Sequence, residues 1–96
     1  MTSDQQKLKD FLYSKDFMKL GQAINHEHWE VAMMALRRLD LAARPLEIDF
    51  VTRNVPAIRH GITGRNRQQA LDALARVTQR RVQLMNILNK PVEETN

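Results

Sequence analysis

"MMALRRLDLAARP", Met33 to Pro45, decides the fold class and also raises the question of function. Extended back to Trp29, the segment places Trp29, Ala32, Met33, Leu36, Leu39 and Ala43 at spacings of three and four. Such spacings share one side of an α-helix, so this stripe is predicted to face a core. Glu30, Met34, Arg37 and Leu41 recur at four, three and four on the other side, with Arg38 beside them. A strip that mixes Met, Arg and Leu suits protein contact, because Met adapts to different surfaces and Arg is enriched at interfaces. The competing reading is that Met34 and Leu41 cover a neighbouring helix. Sequence alone leaves both open.

The same periodicity extends in both directions, and few β-branched runs interrupt it. Leu8, Phe11 and Leu12 mark a short lead-in that Ser3 or Asp4 can cap. Ser14 can begin a fresh helix with Asp16 in its first turn, or the lead-in can run on unbroken; either way Phe17, Leu20 and Ile24 lie inside, and "NHEH" (Asn25–His28) reads as the turn. The next helix is expected from about Glu27 to Ala43. Pro45 cannot continue it but can open a third helix, where its missing N–H costs nothing. Leu46, Phe50, Val51 and Asn54 would line that helix, with a kink or break at Pro56 and a short continuation through Ile58. "HGITGRN" (His60–Asn66) reads as the clearest loop. Asn66 and Gln69 are spaced as a capping box for a last helix from Arg67 to about Asn89. Its expected inner stripe is Leu71, Leu74, Ala75, Thr78, Val82, Met85 and Leu88, widened by Val77, Leu84 and Ile87. Lys90 would suit the helix's negative end, and Pro91 would stop it. The prediction is an all-α, small antiparallel four-helix bundle with a short N-terminal lead-in helix and a kink near Pro56. One domain spans 1–90, and 91–96 form a flexible tail.

An internal echo accompanies this pattern. "AINHEHWEVAMMALRRL" and "GITGRNRQQALDALARV" align at an offset of 38, pairing Ile24 with Ile62, Ala32 with Ala70, Ala35 with Ala73, Leu36 with Leu74 and Arg38 with Arg76. Two related helical hairpins would suit the bundle, and two amphipathic helices can also match by chance.

A chain of 96 residues can bury one core, with an expected radius of gyration of roughly 12–13 Å and little room for a deep active site. It has no cysteine, and no apolar run approaches the ~20 residues needed to span a bilayer. "MTSDQQKLKD" lacks the basic-then-apolar order of a signal peptide, so a cytoplasmic location and no membrane partner are expected. Net charge is +4, unevenly spread: residues 50–90 carry eight Lys/Arg against Asp72 alone. A basic half points to an acidic partner or to a solvated helix surface.

Little here suggests catalysis. His26 and His28 are two apart, with His60 distant, and apart from His26 and Glu30, which are four apart with His26 in the expected turn, no Asp/Glu–His pair has the i, i+3 or i, i+4 spacing of a helical metal motif. "GITGR" is a glycine loop before a helix, without the rest of a phosphate-binding motif. Neither enzymatic activity nor a metal or cofactor is expected. The alternative function is phosphate-backbone binding to nucleic acid through Arg65, Arg67, Arg76, Arg80 and Arg81, with Arg53 and Arg59 nearby in sequence. Against it, no aromatic residue follows Phe50 to stack on bases.

The order of elements resembles a histidine-containing phosphotransfer (HPt) domain. "LGQAINHEHWEVAMMALRRLDLAA" is similar to that family's first turn and phosphoacceptor helix, and "GITGRNRQQALDALARV" to its turn into the last helix. The resemblance spans about Phe17 to Leu88 and implies a small antiparallel four-helix bundle that docks a response-regulator receiver. The family signature, Leu-His-x-Leu-Lys-Gly, aligns with "LRRLDL", Leu36 to Leu41. Arg37 stands where the phosphorylatable His would be, Asp40 replaces the assisting Lys, and Leu41 replaces the Gly. A protonated guanidinium cannot carry phosphate reversibly, so the resemblance implies docking without phosphotransfer. The expected function is a non-catalytic protein-interaction module, a signalling adaptor or a homodimer. Its partner, another protein or a second copy, would meet Glu30, Met34, Arg37, Arg38 and Leu41.

Overall fold

A computed structural model describes residues 3–89, and its helices meet at short, well-capped corners. The elements are α1 (Ser3–Leu12), α2 (Lys15–Asn25), α3 (Trp29–Ala43), α4 (Asp49–Thr52), α5 (Val55–Thr63) and α6 (Arg67–Asn89). There is no strand among the described residues. Helix α2 packs on α3, α3 on α5, α5 on α6, and α6 back on α2, so these four close a ring. Cross-links at both ends show that neighbours run antiparallel. Arg38 of α3 reaches Asp16 at the start of α2. Arg81 lies over Phe17 at that same end of α2, while Arg67 donates to the Asn25 carbonyl at the other. The expected antiparallel four-helix bundle is present, with α4 as a single turn leading into α5 and α1 packed against the far part of α6.

Inside the ring lie Leu20, Ile24, Leu36, Ile58 and Val77, each almost fully buried, with Ala32, Ala35, Ala70 and Ala73 where helices approach closely. Buried Phe11 meets Phe17 edge to face at 5.3 Å, which ties α1 to the bundle. The radius of gyration is 14.5 Å and the long dimension 53 Å, larger than a sphere of this length would give. The 23 residues of α6, roughly 34 Å at 1.5 Å per residue, supply part of that length. Its last turns leave the ring and meet α1, where Asn89 donates to the Tyr13 hydroxyl.

Three helix ends are closed by one device. After α2, His28 N–H donates to Ala23 O and Glu27 N–H to Ile24 O. After α3, Ile48 donates to Ala43 and Glu47 to Arg44; after α5, Asn66 donates to Gly61 and Arg65 to Ile62. Each is a six-to-one bond enclosing a tighter one, the Schellman closure, and each needs a left-handed residue. Glu27 (φ 59°), Glu47 (φ 55°) and Arg65 (φ 53°) fill that position, which glycine usually occupies.

The echo at offset 38 is therefore structural. Ala23 and Gly61 accept the equivalent closing bond, and Glu27 and Arg65 share the left-handed conformation. Ile24 and Ile62, Ala32 and Ala70, Ala35 and Ala73, and Leu36 and Leu74 are all buried. Hairpins α2–α3 and α5–α6 thus occupy equivalent places in the ring.

Several boundaries differ from the sequence reading. Ser3 and Asp4, read as caps, are already within α1, whereas Ser14 does cap α2, its Oγ accepting from Asp16 N–H at 3.2 Å. Helix α3 starts at Trp29, because the closure after α2 holds Glu27 left-handed. Pro45 opens no helix; it lies in the turn that reverses the chain onto buried Ile48. The interruption near Pro56 is a break at Asn54, and Pro56 sits in the first turn of α5, where no N–H is required. "HGITGRN" is not all loop, since α5 continues through Thr63. Gly61 is a buried helical residue, and a Cβ there would lie 2.6 Å from Ala70 N. Asn66 Oδ1 accepts from Gln69 N–H, but Asn66 N–H donates to Gly61 O, so only half of the expected capping box forms. Leu74 and Val77 of the expected α6 stripe are buried, and Leu71, Leu84, Met85 and Leu88 pack partly buried against the core, but Ala70 and Ala73 stand inside in place of Ala75 and Thr78, and Val82 and Ile87 are exposed. Lys90, Pro91 and the expected tail lie outside the described residues.

Candidate interaction surface

Helix α3 is held by its buried side, Ala32, Ala35, Leu36, Leu39 and Ala43. That anchoring turns Glu30, Met34, Arg37, Arg38 and Leu41 to solvent together. Met34 is 53 % and Leu41 68 % exposed, so neither covers a neighbouring helix. Arg37 makes no ion pair or side-chain hydrogen bond among the described residues. Arg38 lies 3.6 Å from Asp16 and stays half exposed, free to turn to another partner.

Asp40 is the charged residue that sequence periodicity missed. It is buried, yet its carboxylate is satisfied: Arg44 Nε donates to Oδ1 at 3.1 Å and Arg44 Nη2 to Oδ2 at 2.8 Å. Arg59 of α5 stands 4.0 Å away. The hydrogen bonds from Arg44 to Asp40, then the charge of that carboxylate, raise the Arg44 pKa against a small opposing effect of burial. Asp40 thus fastens the end of α3 instead of facing a ligand. Arg37 and Leu41 project to the surface, while Asp40 is locked inside.

The face borders a groove between α2 and α3. Ala23 and Ala35 line its depth, Val31 and Met34 provide apolar walls, and Lys19, Gln22, His26, His28 and Arg38 form its margins. Val31 is 50 % exposed. Of the sequence-derived set, Met34 and Arg38 line this groove; Glu30 lines a neighbouring depression with Trp29 and Arg65, and Arg37 and Leu41 line neither. Sequence reasoning missed Val31, Lys19 and Ala35, because a groove belongs to two helices and only their pairing reveals it.

The offset of 38 relates this groove to one on the second hairpin. The equivalent groove between α5 and α6 is lined by Ala57, Asn66, Gln69, Asp72, Ala73 and Arg76 among others. Under the offset of 38, Val31 corresponds to Gln69, Met34 to Asp72, Ala35 to Ala73 and Arg38 to Arg76. Small floor and arginine margin are shared, while the exposed walls are apolar in one groove and polar in the other. Folding does not demand Val31 and Met34 at the surface, since the second hairpin forms the same corner with Gln69 and Asp72.

The arginines of the alternative site do not converge. Arg65 closes α5, and Arg67 Nη1 donates to the Asn25 carbonyl at 3.3 Å. Arg76 and Arg80 share an exposed side of α6, with Arg80 donating to Gln83. Arg81 points inward: Nε donates to the Leu12 carbonyl at 2.7 Å, and its guanidinium lies 4.7 Å from the centre of the Phe17 ring. Partial burial, against a smaller opposing effect of Tyr13, lowers the Arg81 pKa. The rings of His26 and His28 are 6.0 Å apart, and no group of three or more His, Cys, Asp or Glu is placed to hold a metal among the described residues. No described helix is long and apolar enough to cross a membrane.

No family model matches the chain, and neither a curated protein nor a solved structure matches it.

Proposed function

We propose that the protein is a non-catalytic interaction module that binds another protein through the exposed side of α3. The observation that carries this reading is the exposed Val31–Met34 pair, where the equivalent corner of α5–α6 has Gln69 and Asp72. Exposed apolar side chains flanked by Arg37 and Arg38 form a surface with both dispersion contact and charge-assisted donors. The HPt resemblance supports the same side of the bundle as a docking surface, with Arg37 replacing the acceptor His. A regulatory adaptor or a homodimer would use this surface. Compared with it, the arginine set of the nucleic-acid alternative is divided, because Arg81 is committed to Leu12 and Phe17.

The test is Met34→Asp combined with Leu41→Asp. The double variant should keep native helicity and lose a nuclease-resistant partner, or a dimer seen by light scattering, that the unaltered protein retains. Retention of that partner by the folded double variant would refute the reading.

A further inference from the structure

We propose that the α2–α3 groove receives one amphipathic helix of a partner protein, whose polar positions beside the contact are carboxylates. This rests on the reading of α3 as a protein-binding face and adds the chemistry of the occupant. The first support is shape. Ala23 and Ala35 are buried at 4 % and 1 % exposure, so the floor between the two helices carries only methyl groups. Val31 and Met34 rise beside that floor. From Val31 to Arg38 the groove follows two turns of α3, roughly 10 Å, which matches apolar side chains at i, i+3 or i+4, and i+7 of an incoming helix.

The second support is charge. No carboxylate lines the groove, whereas Lys19 and Arg38 stand at one end and His26 and His28 at the other. The equivalent α5–α6 groove sets Asp72 against Arg76 and has no such bias. Arg38 has Asp16 as a neighbour at 3.6 Å, and its side chain remains 52 % exposed to a second carboxylate. A second copy fits less well, because a two-fold interface would bring two basic grooves together. A nucleic-acid strand would leave Val31 and Met34 against phosphates.

Two synthetic 14-residue peptides test this on the full-length protein. Both place Leu at i, i+3, i+7 and i+10; one carries Glu at the remaining surface positions and the other Lys. Amide chemical shifts locate binding, and the single tryptophan, Trp29, reports it by fluorescence. The Glu peptide should saturate, shift Ala23, Val31 and Ala35, and bind at least about tenfold more tightly than the Lys peptide. Lys19→Glu should remove most of that preference, and Met34→Asp should abolish binding of the Glu peptide. Equal affinities, shifts centred on Ala57 and Ala73, or no binding of the Glu peptide would each overturn the proposal. Loss of a native partner in the Met34→Asp, Leu41→Asp variant, combined with no Glu-peptide binding, would leave the α3 face standing and remove the acidic helix alone.

Discussion

Gly61→Ala puts the packing of the second hairpin to a quantitative test. In an unconstrained helix interior this change stabilises by about 0.8–1 kcal/mol, because alanine loses less backbone entropy. Here the new Cβ would stand 2.6 Å from Ala70 N, 2.7 Å from Ala70 Cα and 2.8 Å from Ala70 Cβ. Two of the three obstacles are backbone atoms, so no rotamer change relieves them. Helices α5 and α6 must separate by most of an ångström, and Ala70 and Ala73 lose close contact on both sides. Overpacking of this kind costs about 1–3 kcal/mol, occasionally more. With a clash against backbone we place it at or above the upper end, for a net loss of about 2 kcal/mol after the helix-propensity gain. A domain of this size shifts in melting temperature by about 4–8 °C per kcal/mol, so the midpoint should fall by roughly 8–16 °C. Urea unfolding followed by far-ultraviolet circular dichroism and Trp29 fluorescence measures the change. Ala70→Gly in the same background should recover only part of it, because Ala70 N and Cα remain. A Gly61→Ala protein as stable as the unaltered one would refute the close approach of α5 to α6.

The three helix closures predict that Glu27→Gly, Glu47→Gly and Arg65→Gly each stabilise by about 0.5 kcal/mol, since a left-handed conformation costs a non-glycine residue about 1–2 kcal/mol and glycine's own entropy offsets part of the gain. Thermal melts check this, and lower midpoints in all three would contradict the assigned closures. Arg81→Met should destabilise by about 1–2 kcal/mol in urea, because it removes a charged donor from the Leu12 carbonyl; an unchanged midpoint would mean that Arg81 is free. Arg44→Met should lower the melting temperature while Arg37→Met leaves it unchanged, because Arg44 hydrogen-bonds buried Asp40 and Arg37 does not. Oligonucleotide binding should be absent at physiological salt. Saturable binding with a steep salt dependence that Arg76→Ala and Arg80→Ala flatten would move the function to nucleic acid.

Helix α3 was legible because Ala32, Leu36, Leu39 and Ala43 repeat at three and four and fix its buried side, while buried Asp40 and exposed Val31 depart from that pattern. Helix α6 was not, for a physical reason. Apolar residues surround it at Leu71, Leu74, Val77, Val82, Leu84, Met85 and Ile87, and only its neighbours select the inner side. They select Ala70 and Ala73, small residues that permit close approach, and leave Val82 and Ile87 outside. Gly61 reads as a helix breaker by propensity, but it serves that same approach. The closures at Glu27, Glu47 and Arg65 have no glycine to announce them. Of the candidate surface, Met34 and Arg38 were visible from one helix; the groove they line also needs Lys19 and Ala23 from α2. The offset of 38 was the sequence signal that pointed past single helices to the paired hairpins.

Helix α3 turns Met34 and Leu41 to solvent, outside the core. The most direct measurement is urea unfolding of Met34→Asp and Leu41→Asp, singly and together, beside Leu36→Asp. Exposed positions should stay within about 0.5 kcal/mol of the unaltered protein, while a carboxylate at buried Leu36 should abolish the native state. A loss above about 2 kcal/mol at Met34 or Leu41 would show that the face is covered, and would contradict the account.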